Sequence, residues 1–410
     1  MTQPEAEDDT SARAVPFITR VRLKNYKSIA ACDVSLGPLT ILVGPNGSGK
    51  SNFLDALAFV ARALETTPSE AINERGGVAE IVCRVPGPMD SFSIELEVAV
   101  PLGAEPYPRV TGSYEIEIGR GRLSEREFEV IRERCSLRLR NDTEGFRVER
   151  GVVHGETPGI FGELIEPDDI GSDRLYLPLA GARKSFERLL FDGLRAMHFY
   201  NFALDELRQP QRQLGRAVLG AKGEYLGDVV GSLEGEDAGF KDRLDAYLRA
   251  IVPGAIGIYR WFAGSRVTVM IRSGTGIGGR GVDFGPDAMS DGTLRAAAVL
   301  AALFQPAARD GRISLVAIEE PEIALHPAAA GALFDALTEA SKYVQVIATS
   351  QSADLLDRED LDISTIRPVT MRDGLTVIGE VDDASRDIAE KKLYTLGELM
   401  RGNQLVPKTA

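Results

Sequence analysis

The residues Gly44-Pro45-Asn46-Gly47-Ser48-Gly49-Lys50-Ser51 fit the pattern G-x-x-x-x-G-K-[ST]. Glycines at this spacing let successive backbone N–H groups turn inward and form a nest for an anion. A helix that starts at once, continuing through Asn52, adds free N–H groups and partial positive charge. In such a cradle Lys50 reaches the β- and γ-phosphates of a nucleotide, and the Ser51 hydroxyl coordinates Mg2+.

A second cluster, Glu319-Glu320-Pro321-Glu322, ends the apolar run Ile313, Leu315, Val316, Ala317, Ile318. A phosphate loop needs one carboxylate near Mg2+ and another to orient the attacking water. The carboxyl ends of neighbouring strands lie beside the cradle. Glu319 is therefore assigned to the metal's outer shell and Glu320 to polarising water.

The elements around these clusters read clearly. Leu39–Val43 is a short buried strand that runs into the cradle, and Phe53, Leu57, Val60 and Leu64 share one face of the helix after it. FITRVRLKNYKSI alternates as strand, and EIVCRV, FSIELEVAV, GSYEIEI and CSLRLR read as further strands. Helices are expected near 183–196, 222–233 and 238–251, then a hairpin of IYRWFA with RVTVMI. LRAAAVLAALF and AAAGALFDALTEA are helical, SLVAI and VQVIATS are buried strands, and the tail holds two more short strands.

Composition sets limits. The chain has 410 residues, 44% apolar and 26% charged, ordinary values for a globular protein. A net charge of −14 is not that of a DNA-coating protein, and the Arg208–Lys222 stretch is expected to be a solvated basic face in preference to its alternative, a nucleic-acid patch. Cys32, Cys83 and Cys135 lack metal-ligand spacing. No window is apolar enough for a membrane span and the acidic N-terminus is no signal peptide, so a cytoplasmic protein is expected.

With the cradle in place, the chain resembles the ABC-type ATPases of the RecF, SMC and OLD branch, as a stand-alone member. The resemblance rests on the entry segment from Phe17 through the cradle, MSDGTLR (Met289–Arg295) at the signature position, IEEPEIALHP (Ile318–Pro327) at the Walker B strand, and VIATSQSADLLD (Val346–Asp357) at the switch loop. It implies an α/β head with a mostly parallel sheet built from both ends of the chain, plus an antiparallel β lobe and a mixed α/β insertion. It also implies ATP and Mg2+ as ligands, and two heads closing on two ATP molecules. Ser290 and Gly292 of one copy would then face the γ-phosphate held by the other. Lys27 is either a phosphate or base contact, as in relatives, or a solvated lysine on a strand edge. His326 is expected to be structural or a dimer contact.

The sequence also departs from the family. Glu319 replaces the usual aspartate, Gln351 stands where a histidine is usual and cannot titrate, Asp291 puts negative charge near the expected phosphate, and no glutamine-loop residue can be placed. Hydrolysis is accordingly expected to be slow, with Glu320, Lys50 and Gln351 as its residues. The expected divisions are a disordered tail at 1–15, half of the head at 16–100, the insertion at 101–284, the other half at 285–382 and a tail at 383–410. With about 60 residues after Gln351, no nuclease domain is expected there. The expected function is an ATP-gated homodimer acting with a separate nuclease-like effector, with DNA as a further partner, in genome maintenance or anti-phage defence. The rival expectation is a scaffold that clamps ATP without appreciable hydrolysis.

Overall fold

The computed structural model describes residues 16–85, 87, 89–102, 108–121, 127–157, 170–182, 186–213, 218–236, 238–274 and 281–408. The tail expected over 1–15 lies outside them. Among the described residues the strands are β1 (Ile18–Tyr26), β2 (Ile29–Ser35), β3 (Leu39–Val43), β4 (Ser91–Pro101), β5 (Arg109–Arg120), β6 (Phe128–Leu139), β7 (Asp142–Glu149), β8 (Val152–Thr157) and β9 (Met197–Tyr200). They continue with β10 (Gln211–Arg212), β11 (Ala255–Ala263), β12 (Arg266–Ser273), β13 (Val282–Phe284), β14 (Leu315–Glu319), β15 (Gln345–Ser350), β16 (Ile366–Arg372) and β17 (Leu375–Ile378).

The central sheet has the order β17-β16-β3-β15-β14-β9. Its pairings are parallel except for the β16–β17 hairpin at one edge. Strands β3 and β15 are buried along their whole length, which explains their unbroken apolar runs: helices or a second layer cover both faces. Leu42, Leu315, Ala317 and Ile347 face one core, whereas Ile41, Val316, Ile318, Val346 and Ala348 face the other. The first core also holds the helix α1 (Lys50–Glu65) and the inner face of an antiparallel sheet ordered β2-β1-β4-β5-β6-β7-β8. There Tyr26, Phe59 and Phe92 meet edge to face at 5.4–6.4 Å. The second core holds the Asp291–Phe304 and Ala330–Ala340 helices.

The architecture is the α/β head with an antiparallel lobe that the sequence suggested, but its parts interleave more than expected. The β4–β5 hairpin crosses the expected division at residue 100, because both strands bury one face over the same core. Strand β9, inside the expected insertion, pairs with β14 and forms the other edge of the central sheet. EIVCRV is not a strand: Val78–Ile81 makes a helical turn, Val82 forms a single bridge with Tyr26, and Ile81 O accepts from Lys27 N.

One buried amide joins the two large sheets. Gln345 Oε1 accepts from Ile18 N at 2.9 Å, and its Nε2 donates to Ile18 O at 2.8 Å and Gly37 O at 3.0 Å. Gln345→Leu would leave these buried peptide groups unpaired, at a cost of roughly 3 kcal/mol. A urea midpoint clearly below wild type is expected, and an unchanged midpoint would refute the tie.

Candidate functional site

The cradle is built by close packing at the end of β3. Gly44 N donates to Ser350 O at 3.2 Å, and a Cβ on Gly44 would lie 2.1 Å from Val369 O. Gly49 has φ +100°, and a Cβ there would meet Thr376 Oγ1 at 2.0 Å. Gly47 also has positive φ but faces open space. Both conformations favour glycine. No side chain caps α1, so its first N–H groups remain available to an anion. Ser48 Oγ is buried without a hydrogen-bond partner. An orphaned hydroxyl and uncapped N–H groups in a glycine-lined loop fit a phosphate chain.

Lys50 Nζ folds over the loop, donating to Gly44 O at 2.7 Å and Pro45 O at 3.0 Å. Burial lowers its pKa, and the carboxylates of Glu320, Glu322 and Glu319 work against that shift.

Parallel register brings the acids to the same edge. Glu319 pairs with Thr349, and Val43 with Ser350, so the ends of β14, β15 and β3 are level. Ser51 Oγ donates to Glu319 Oε2 at 2.6 Å. These two oxygens are hard donors of the kind Mg2+ takes, together with phosphate oxygens and water. The chain then bends: Glu320 has φ +45°, uncommon for a glutamate, and its N–H is held by Thr349 O and Thr349 Oγ1, each at 3.1 Å. Gln351 Nε2 donates to Glu320 Oε2 at 2.9 Å. Glu319 and Glu320 thus point to different partners.

Three contributors escaped the sequence reading. Glu322 is mostly buried; its Oε1 accepts from Ser350 Oγ at 2.6 Å and from Gln351 N at 3.2 Å, while Oε2 has no partner. Burial raises its pKa, against the pull of those hydrogen bonds. Asn201 follows β9, one position beyond the Ile318–Tyr200 pair, and so stands beside Glu319. Both line a cavity of about 470 Å3 with Asp55, Phe199 and Lys222. Arg208 donates to Pro286 O and to Asp291 Oδ1 at 2.6 Å, so the charge of Asp291 is paired. The basic stretch is therefore not simply a solvated face.

Other expected site residues are placed as follows. Ser290 caps the Asp291–Phe304 helix, its Oγ accepting from Thr293 N at 3.1 Å, and is exposed. Gly292 is buried, with room for no side chain because a Cβ would lie 2.2 Å from Ala324 O. Among the described residues no hydrogen bond or ion pair joins Ser290 or Gly292 to the cradle of the same chain. Asn52 Nδ2 donates to Ser28 Oγ at 2.6 Å, and Ser28 in turn bonds Thr376 Oγ1 at 2.6 Å, which donates to Ser48 O at 2.9 Å. The entry hairpin thus braces the loop. Lys27 does not stand free: its Nζ pairs with Asp55 of α1 at 2.6 Å. His326 Nδ1 accepts from Ala328 N at 3.1 Å, a structural cap. Pro45 and Asn46 complete the loop.

The family described as "AAA domain, putative AbiEii toxin, Type IV TA system" matches residues 39–357. Among curated proteins, the Rad50 ATPase of DNA double-strand break repair from Halobacterium salinarum is 45% identical over 67 residues, 15% of this chain and 8% of that protein. The OLD nuclease of Thermus scotoductus is 44% identical over 44 residues, 11% of this chain and 8% of that one. RecF, a DNA replication and repair protein, from Corynebacterium jeikeium is 44% identical over 46 residues, 11% of each chain. The chain therefore spans about a tenth of these relatives' length. An Smc head bound to the C-terminal winged-helix domain of ScpA superposes with TM-score 0.54 at 14% identity, covering 90% of this chain and 100% of that one. An Smc head with an extended coiled coil, bound to the C-terminal domain of ScpA derived from Pyrococcus furiosus, gives 0.53 at 13%, covering 93% and 100%. At that identity the likeness concerns the fold.

Glu322 generates a pH prediction. With its folded pKa raised, the carboxyl favours folding fully below the unfolded value, and this contribution is lost as pH rises through the folded value. Glu322→Gln keeps an acceptor for Ser350 and removes the ionisation. Relative to wild type, the variant should gain stability in urea unfolding from about pH 4 to neutrality. A difference that does not change with pH would refute the assignment.

Proposed function

This chain belongs to the AAA-domain family just described and is an ABC-type ATPase of the RecF, SMC and OLD branch; from that premise we propose that it is an ATP-gated head that closes as a homodimer. The supporting observation is the division of labour at one sheet edge, with Ser51 on Glu319 and Gln351 on Glu320.

In this proposal the loop from Gly44 through Gly49, with Asn52, cradles the phosphates, and Lys50 leaves the loop carbonyls to neutralise the β- and γ-phosphates. Lys27 stays with Asp55. Ser51 and Glu319 would hold Mg2+, which when bound offsets the negative charge of the phosphates. Glu320, fixed by Thr349, orients water and accepts its proton. Gln351 senses the γ-phosphate, because an amide can donate a hydrogen bond but cannot take the proton. The exposed helix start at Ser290 belongs to the opposite head's nucleotide, with Asp291 neutralised by Arg208 rather than repelling it. Gly292 permits the close packing that places this helix start. Closure then gates a separately encoded effector, nuclease-like and acting on DNA, in genome maintenance or anti-phage defence. One contact favours the rival scaffold reading: Gln351 holds the Glu320 carboxylate that hydrolysis needs.

Isothermal titration should show ATP binding in wild type and Glu320→Gln, and its loss in Lys50→Ala. Turnover in Glu320→Gln should fall about 10²–10⁴-fold. Light scattering with MgATP in the Glu320→Gln background should report mass doubling, abolished by Ser290→Arg. If Glu319→Gln stops turnover and Glu320→Gln does not, the roles are exchanged. Closure with negligible wild-type turnover would support the scaffold.

A further inference from the structure

We infer that the outward face of the small β10–β12–β11 sheet is a platform for single-stranded nucleic acid, separate from the nucleotide cradle. Arg212 lies opposite Arg266, Trp261 opposite Thr268, and Tyr259 opposite Met270. Cross-strand partners share a face, as do residues two apart on a strand, so these six side chains share one surface. The reverse face carries Ile258, Val269 and Ile271, buried with Leu226, Val229 and Val230 of the Leu226–Glu236 helix. The helix thus covers that side around Ile258, while on the other side Trp261 stands open and Thr268 is buried between its neighbours.

Two features of the open side indicate what it takes. Trp261 is 51% exposed, and among the described residues its indole has no ring, cation or hydrogen-bond partner. A large flat apolar side chain in the open gains nothing within this chain, yet it offers every base a stacking surface. Next to it, Arg212 and Arg266 sit directly across from each other. Like charges in that position destabilise a strand pair. No carboxylate among the described residues pairs with either guanidinium, and Arg266 bonds only the Pro210 carbonyl, at 3.1 Å. A phosphate backbone would relieve that repulsion. The neighbouring row is already satisfied, since Arg272 lies over the Tyr259 ring at 5.3 Å and pairs with Asp283 at 2.8 Å.

Indole and arginine rows are adjacent, about 7 Å apart along β12. A single strand can place a base on one and phosphates on the other. A duplex keeps its bases stacked, so it would meet the arginines and leave the indole idle. An acidic protein surface would satisfy the arginines too, but would not need a flat ring.

Trp261 is the chain's single tryptophan, so its fluorescence reports on this face alone. Titration with a short oligothymidylate at low salt, without ATP, should quench it saturably. The Arg212→Glu/Arg266→Glu variant should bind at least about tenfold more weakly, because two phosphate contacts become repulsive. Trp261→Ala should weaken a labelled oligonucleotide roughly tenfold in anisotropy, with an unchanged urea midpoint confirming that the fold is intact. Absence of quenching overturns the proposal. So does a matched duplex that binds as tightly as the single strand, or affinity that is indifferent to the arginine substitutions.

Discussion

Everything at the candidate site depends on how closely four parallel strands, β16, β3, β15 and β14, pack around the cradle. Gly44 lies against the Val369 carbonyl, and a single methyl group would collide with it at 2.1 Å. A collision of backbone with a Cβ cannot be relaxed by a rotamer change, so the strand ends would have to separate. Separation would pull Val43 out of register with Ser350 and release the Gly44–Ser350 hydrogen bond. Ser51 and Glu319 meet across the same edge at 2.6 Å, a distance with no slack. The site is therefore set by backbone packing in the core, and its side chains inherit their positions from that.

Charge is the second constraint. Lys50 faces Glu319, Glu320 and Glu322, so the bare edge holds more negative than positive charge when all three are ionised. Two of those acids hydrogen-bond neutral donors, and the third is buried with one oxygen unsatisfied and its pKa raised. Protonation of Glu322 lessens the repulsion between the acids. A phosphate chain arriving here without a cation would meet net repulsion at short range, where screening is weak. On the proposed reading, phosphate and divalent cation would therefore arrive together, with Ser51 and Glu319 as the cation's holders.

That the two clusters meet at one sheet edge was legible because each carries its pattern in contiguous residues: the glycine spacing around Lys50, and an apolar run stopping at Glu319-Glu320. What could not be read was whatever depends on strands meeting from distant parts of the chain. Strand β9 is only Met197–Tyr200, too short for a period, so Asn201 could not be recognised as standing beside Glu319. Gln345 lay in a run read simply as a buried strand, and its function in joining two sheets exists only through Ile18 and Gly37. EIVCRV has strand composition, yet the chain spends it on a helical turn because Ile81 must meet the turn after β1. Tertiary contacts override local propensity at such places. Asp291 looked like a repulsive charge for the same reason: its partner Arg208 is 83 residues away.

Arg208 also links the two surfaces proposed above to bind ligands. It closes the Leu204–Arg208 helix and clamps Asp291 and Pro286, while the chain just after it becomes β10, which carries Arg212. Strand β10 pairs with β12, and β12 with β13, from which the chain runs through Pro286–Ala288 to Ser290. The helix start at Ser290 is thus tethered to the small sheet from both directions. An anion that draws Arg212 and Arg266 together acts on the strand that anchors both tethers. Coupling between sites requires that one element be biased by both ligands. On the proposed readings, the clamp of Arg208 on Asp291 and Pro286 is the contact between the two surfaces through which such a bias would pass.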